Sequence, residues 1–240
     1  MRYSILTLFP DLVLPWTREA ILGKAIESGL ISVDVRDIRD FSTDKHRTVD
    51  DAPYGGGAGM VMRVDVVVNA IESTLPADEV ILLSPSGALF NQKLAEELST
   101  KKHLALVSGR YEGIDARVEK YVTREVSLGD YVLMGGELGA LAVLEATARL
   151  IPGVIGDPES HQRDSFTSGL LDYPHFTRPP EFRGQCVPEV LISGHHAKIA
   201  EWRRREALKR TWKQRPELLA AAELSPQDQR WLNEFDSGES

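Results

Sequence analysis

Along the first 155 residues, short β-rich apolar runs alternate with longer stretches in which apolar positions recur every three to four residues. Continuous or period-two apolar runs mark strands, and a 3.6-residue period marks amphipathic helices. The runs predict strands over residues 3–8, 31–38, 79–83, 103–107 and 121–126. Helices are predicted over 16–28, 64–73, 92–99 and 137–150, the last rich in Ala and Leu and bounded by Pro152-Gly153. Strands alternating with helices predict an α/β domain on a largely parallel sheet.

Residues 156–168, Gly-Asp-Pro-Glu-Ser-His-Gln-Arg-Asp-Ser-Phe-Thr-Ser, carry one large apolar side chain, too little burial to offset the entropy of ordering. They predict a flexible interdomain linker. Residues 169–240 predict a smaller all-helical domain, with helices over 195–214 and 216–222 and another opening at Ser225-Pro226-Gln227-Asp228. There Ser caps the helix and Pro suits its first turn. The expected organisation is thus a domain over 1–155, a linker over 156–168 and a domain over 169–240.

Composition narrows the class. With 240 residues, 42% hydrophobic and 27% charged, the chain is ordinary globular material. It has no run of about 18 apolar residues to span a bilayer, and its amino-terminal apolar run is too short for a secretory signal, so the cytoplasm and no membrane are expected. Cys186 is the only cysteine, which excludes intrachain disulfides and multi-cysteine zinc sites. It reads as a small hydrophobe of the second domain rather than a nucleophile.

A net charge of −8 opposes a polyanionic partner at long range, yet residues 198–215 hold eight basic side chains against Glu201 and Glu206, a local balance of +6. Helical winding places Lys198, Arg203, Arg205, Lys209, Arg210 and Lys213 on one half, opposite Ala200, Ala207, Leu208 and Trp212. A solvated charged face explains such a stripe equally well. Trp202 within the basic arc favours nucleic acid, because an aromatic ring stacks on a base while its neighbours hold phosphates.

Three glycine-bearing turns follow predicted strands: Ser84-Pro85-Ser86-Gly87, Ser108-Gly109-Arg110-Tyr111-Glu112-Gly113 and the run from Ser127 to Glu137 through Gly129, Gly135 and Gly136. Singly, each reads more readily as a tight turn. Together they mark a pocket, because ligands in open α/β sheets bind outside the carboxyl ends of strands. No dinucleotide or phosphate-loop motif is present, which argues against a nicotinamide enzyme or a nucleotide hydrolase. A fourth cluster, Tyr54-Gly55-Gly56-Gly57-Ala58-Gly59-Met60, reads as an anion nest, a loop that closes over substrate, or a flexible connection. His46 and Asp50 lack a third metal ligand, and the neighbours His195 and His196 point apart on a helix. No metal ligands are assigned.

At Leu8-Phe9-Pro10, His46-Arg47-Thr48-Val49-Asp50-Asp51, Pro53-Tyr54-Gly55-Gly56-Gly57, Gly109-Arg110-Tyr111-Glu112-Gly113-Ile114-Asp115, Gly129-Asp130-Tyr131-Val132-Leu133 and Ile151-Pro152-Gly153-Val154 the chain resembles the bacterial tRNA (guanine-N1)-methyltransferases of the TrmD family, SPOUT class. The likeness continues through Asp164-Ser165-Phe166, Gly169-Leu170-Leu171-Asp172, Thr177-Arg178-Pro179, Ser193-Gly194 and Arg210-Thr211-Trp212. It implies a SPOUT-type parallel sheet with a deep trefoil knot. It also implies S-adenosylmethionine held by Pro85, Gly109, Glu112, Gly113, Leu128, Gly129, Asp130, Tyr131, Val132, Leu133, Gly135 and Gly136.

The resemblance further implies a homodimer that methylates N1 of the guanosine on the 3′ side of the anticodon in tRNA, with assistance from Mg²⁺. Asp164, which composition alone reads as a solvated residue, matches the base supplied by the second subunit, and Arg149 matches the cation that stabilises charge moving onto guanine O6. A linker that orders on RNA would couple recognition to catalysis. Met134 stands where related sequences often carry a smaller polar residue, which bears on the methionine pocket. The rival readings are a knotted ribose 2′-hydroxyl methyltransferase and a non-catalytic RNA-binding protein.

Overall fold

The computed structural model describes residues 1–156 and 164–238, in two units, Met1–Pro158 and Glu159–Ser240. The linker expected over 156–168 falls largely on residues outside those described.

In the first unit, β1 (Arg2–Thr7), β2 (Ser32–Asp37), β5 (Glu79–Leu89), β6 (His103–Ser108) and β7 (Arg124–Ser127) form one parallel sheet in the order β2-β1-β6-β5-β7. β3 (Asp50–Asp51) and β4 (Val61–Met62) pair separately as an antiparallel hairpin. The helices are α1 (Pro10–Val13), α2 (Ala20–Glu27), α3 (Val64–Glu72), α4 (Gln92–Ser99) and α5 (Glu137–Ala148).

Successive strand residues face opposite sides of the sheet. Tyr3, Ile5, Ile81, Leu104 and Leu106 pack with side chains of α2, α4 and α5. Leu6, Val80, Leu82, Ala105 and Val107 pack with Val66, Val67, Ala70 and Ile71 of α3. Burial on both faces explains why these strands read as unbroken apolar runs.

Three predicted elements differ in detail. The helix expected over 16–28 is a 3-10 turn, Trp16–Arg18, followed by α2. Glu19 is extended, with φ −113°, and the Gly23 backbone lies so close to Arg18 that an added Cβ would stand 2.5 Å from the Arg18 carbonyl oxygen. The strand expected over 121–126 starts at Arg124, because Ala116–Tyr121 winds into a 3-10 turn whose first amides are capped by Asp115. The strand expected to end at Leu83 runs on to Leu89. Leu83 and Ala88 both lie opposite Val126, so residues 84–87 bulge outward between them.

The second unit packs Leu170, Ala207, Leu208, Trp231 and Phe235 together. Its helices are α6 (Glu189–Ile192), α7 (His196–Gln214) and α8 (Pro226–Ser237). Ser225 and Asp228 close a capping box at the start of α8, and Arg204 of α7 reaches the buried Asp228 at 2.9 Å. Burial alone would raise the Asp228 pKa, but hydrogen bonds from Arg204 and Ser225 hold its carboxyl below the usual carboxylate range.

The unit is not all helical: β8 (Glu181–Phe182) and β9 (Gln185–Cys186) form a small hairpin. Cys186, expected as a small buried hydrophobe, is exposed on it. Two residues of the expected linker are tied into this unit. The Asp172 N–H donates to Ser165 Oγ at 2.9 Å, and the Phe166 N–H donates to the Leu170 carbonyl at 2.7 Å. Among the described residues no helix is long and apolar enough to cross a membrane.

Candidate active site

The bulge of β5 and the loops that leave β6 and β7 at their carboxyl ends enclose a cavity of about 430 Å³, within the range of small-molecule sites. Eleven of the twelve positions implied to hold the cofactor line it: Pro85, Gly109, Glu112, Gly113, Leu128, Gly129, Tyr131, Val132, Leu133, Gly135 and Gly136. Asp130 lies outside the wall.

Close approach of backbone builds this wall. The Gly136 N–H donates to the Gly109 carbonyl at 2.9 Å. A Cβ on Gly136 would stand 2.8 Å from Ser108 Cα and 3.1 Å from the Gly109 nitrogen. On the other side, a Cβ on Gly87 would stand 2.3 Å from the Val126 nitrogen. No larger residue fits either place without moving main chain.

A buried polar strap secures the same loops. Glu137, at the start of α5, accepts from Thr7 Oγ1 at 2.7 Å and from Arg110 Nε at 3.1 Å. A terminal nitrogen of Arg110 lies 2.9 Å from the other carboxylate oxygen, a charge contact without hydrogen-bond alignment. Arg110 also donates to the Met134 carbonyl at 3.3 Å and lies over the Phe9 ring at 4.6 Å. One guanidinium therefore joins the end of β1, the 109–113 loop, the 129–136 loop and α5.

Sequence reasoning placed Arg110 and Tyr111 in a pocket-forming turn and Met134 beside the pocket without giving the first two a role, and it missed the carboxylates Glu119 and Glu125. All of these, with Asp115, border the cavity beside Glu112. Ser86 Oγ donates to Glu125 at 2.8 Å. Hydrogen bonds from Arg117 hold the Asp115 pKa at about 2 against the opposing effect of burial. With Arg110 matched by Glu137 and Asp115 by Arg117, the carboxylates Glu112, Glu119 and Glu125 leave the wall negative. Glu112, Asp115 and Glu119 follow β6 while Glu125 lies within β7, so they share no periodic signal, and the pairing of the strands brings them together.

Arg149 is half-buried at the carboxyl cap of α5. The 12 residues of that helix place it about 18 Å along the axis from the end that borders the cavity. Asp164 is half-buried in the second unit, next to Ser165.

On α7 the buried seam is Ala207, Leu208 and Thr211. Ala200, expected on the packed side, is exposed. Lys198, Arg210 and Lys213 are exposed, and Arg210 also donates to the Asp172 carbonyl at 3.4 Å. The other three predicted basic residues are partly engaged. Arg203 lies over Tyr173 at 5.0 Å, Arg205 pairs with Glu234 at 3.2 Å, and Lys209 lies over Phe235 at 5.8 Å. The Trp202 and Phe176 ring centres are 6.2 Å apart. Among the described residues no three His, Cys, Asp or Glu side chains form a metal-binding group.

Comparison with known proteins is consistent with this arrangement. The profile of the family described as tRNA (Guanine-1)-methyltransferase TrmD matches residues 1–221. A tRNA (guanine-N(1)-)-methyltransferase of Thermus thermophilus is 65% identical over 239 residues, covering 100% of both chains. One from Deinococcus deserti is 61% identical over 235 residues, 98% of this chain and 88% of that protein. One from Moorella thermoacetica is 50% identical over 245 residues, 100% of this chain and 98% of that protein. With the profile spanning most of its length and such relatives matching it end to end, the chain belongs to the tRNA (Guanine-1)-methyltransferase TrmD family.

Proposed function

We propose that the chain transfers the methyl group of S-adenosylmethionine to N1 of the guanosine on the 3′ side of the anticodon in tRNA. The observation that carries this reading is the acid-lined cavity at the bulge of β5 and the ends of β6 and β7 in a chain matched over residues 1–221 by a methyltransferase family. A ligand bearing both a sulfonium and an ammonium suits a wall that presents Glu112, Glu119 and Glu125. When bound, that ligand supplies an electrophilic methyl group. The backbone contacts at Gly136 and Gly87 support chain passages as tight as a trefoil knot requires.

Guanine N1 carries a proton and is a poor nucleophile, so a base has to remove that proton. Asp164 accepts it. A carboxylate is weak for the task, and the guanidinium of Arg149 closes the gap by stabilising the charge that moves onto O6. Magnesium, where it assists, would add positive charge near the reacting base, and among the described residues no group of three His, Cys, Asp or Glu side chains marks where it would sit.

The shape of α5 supports a homodimer. Leu138, Ala142, Glu145 and Arg149 follow one another along a single face of that helix. Leu138 and Trp16 are exposed there, and Trp16 donates to Glu145 at 3.0 Å. A two-fold symmetric, antiparallel contact through this face would carry the partner subunit's Arg149 toward the cavity end of α5. Asp164 likewise acts from the second subunit. The exposed Lys198, Arg210 and Lys213, with Arg203, Arg205 and Lys209 beside them, hold the phosphates of the tRNA. The enzyme works in the cytoplasm.

The test is incubation with unmodified tRNA and methyl-labelled donor, followed by mass spectrometry of the product nucleosides. N1-methylguanosine next to the anticodon is expected. Label on a ribose 2′-hydroxyl would favour the related ribose chemistry, and no label at all would favour a binding protein. Asp164→Ala should lower the methylation rate by about 100-fold or more while donor affinity, read by calorimetry, stays unchanged.

A further inference from the structure

Tyr54 is the most exposed large side chain of the first unit, with 100% of its surface open to solvent. An exposed ring by itself says little. Its setting says more. The loop that carries it joins β3 to β4, and the β4 end is fastened to the cavity wall. Met62 N–H donates to Gly113 at 2.9 Å, Glu112 N–H to Met60 at 3.0 Å and Asp115 N–H to Met62 at 3.1 Å. Gly59 lies against the Glu112 side chain so closely that a Cβ would stand 2.4 Å from Glu112 Cγ.

The approach to the hairpin is also fixed. Asp44 accepts from Ser42 Oγ at 3.0 Å, His46 N–H at 2.8 Å, Thr48 N–H at 3.1 Å and Arg63 at 3.2 Å. Between these anchors the tip is open. Gly55 and Gly56 have φ of +87° and +76°, with nothing within 4 Å of where a Cβ would be. Asp115 and Ala116 border the cavity. A ring on an adjustable tip is therefore carried by a stem whose β4 end is bonded to the cavity wall.

We propose that Tyr54 is a substrate-binding residue whose ring stacks on a purine of the RNA as the 52–60 loop folds over the cavity mouth. The inference rests on the proposed methylation of a guanine in tRNA. A base taken out of its stack presents a bare π face, and an aromatic side chain replaces the lost neighbour without regard to sequence. The glycines let the ring adjust to the base, while the stem keeps it within reach.

The experiment compares the full-length wild type with Tyr54→Ala, Tyr54→Leu and Tyr54→Phe. Steady-state methylation of tRNA is measured at saturating donor, with donor affinity by calorimetry and oligomeric state by sedimentation. Removing a fully exposed side chain leaves the core intact. Tyr54→Ala and Tyr54→Leu should lower kcat/KM for tRNA by roughly 5- to 150-fold, the span one base–aromatic stack carries, with donor affinity and oligomeric state unchanged. Tyr54→Phe should restore the wild-type value. Wild-type behaviour of Tyr54→Ala, a leucine as good as phenylalanine, or a change of oligomeric state would each overturn the inference. No N1-methylguanosine from the wild type would overturn the proposed function and this inference together. Its formation at equal efficiency by Tyr54→Ala would remove this inference alone.

Discussion

The cavity wall and the 52–60 loop both use glycine, in opposite surroundings. At Gly136 the backbone has an ordinary negative φ of −80°, and a side chain is excluded because two chain segments touch. At Gly56 there is open space, and a side chain is disfavoured because the residue sits at φ +76°. The first is a constraint of packing and the second a constraint of conformation. A crowded wall fixes the shape of a small-molecule site, whereas an open loop can adapt to a larger partner. Donor binding should therefore depend on the wall, and RNA binding on the loop.

The largest effect is expected from cutting the strap that secures the wall. Arg110→Ala leaves Glu137 buried beside Thr7 without its cation and should destabilise the first unit by about 3 kcal/mol, read by chemical denaturation. Glu137→Gln keeps an acceptor for both partners and should cost less. Equal stability of Arg110→Ala and wild type would show that the strap does not hold the wall.

Gly136→Ala comes next. Its methyl has to displace main chain, at about 1–3 kcal/mol, and donor affinity should fall by roughly 5- to 150-fold on the same scale. Gly56→Ala should cost about 1 kcal/mol of left-handed strain and leave donor affinity unchanged. Should Gly56→Ala weaken donor binding as much as Gly136→Ala, the two regions would not divide the work as described. Smallest is charge reversal at Lys198 and Lys213 on the exposed face of α7, which should reduce the steepness of the salt dependence of tRNA binding by roughly one for each phosphate no longer neutralised.

The sheet was legible in the sequence because β1, β5 and β6 are buried on both faces and α2 to α4 keep their period, while α5 shows as a run rich in Ala and Leu. Leu104, Ala105, Leu106 and Val107 admit no other reading between two turns. What escaped was set by distant parts of the chain. The break between Arg18 and α2 depends on local crowding around Gly23, and the continuation of β5 past Leu83 depends on pairing with Val126. The glycine loops around the cavity were visible because they follow strand ends. Arg110 was visible as a member of such a loop but its role as a strap was not, since the Glu137 that it grips is tied to Thr7, 130 residues away in sequence. The basic face of α7 shows in the sequence as a stripe. Its partial engagement with Tyr173, Glu234 and Phe235 needed the fold of the second unit.

On the proposed reading, the carboxylates Glu112, Glu119 and Glu125 also bear on the stage after methyl transfer. With its methyl gone, the sulfur becomes a neutral thioether, and the spent molecule carries one positive charge fewer. The surrounding carboxylates then attract it less. On that reading the wall should bind the spent ligand less tightly than the fresh one.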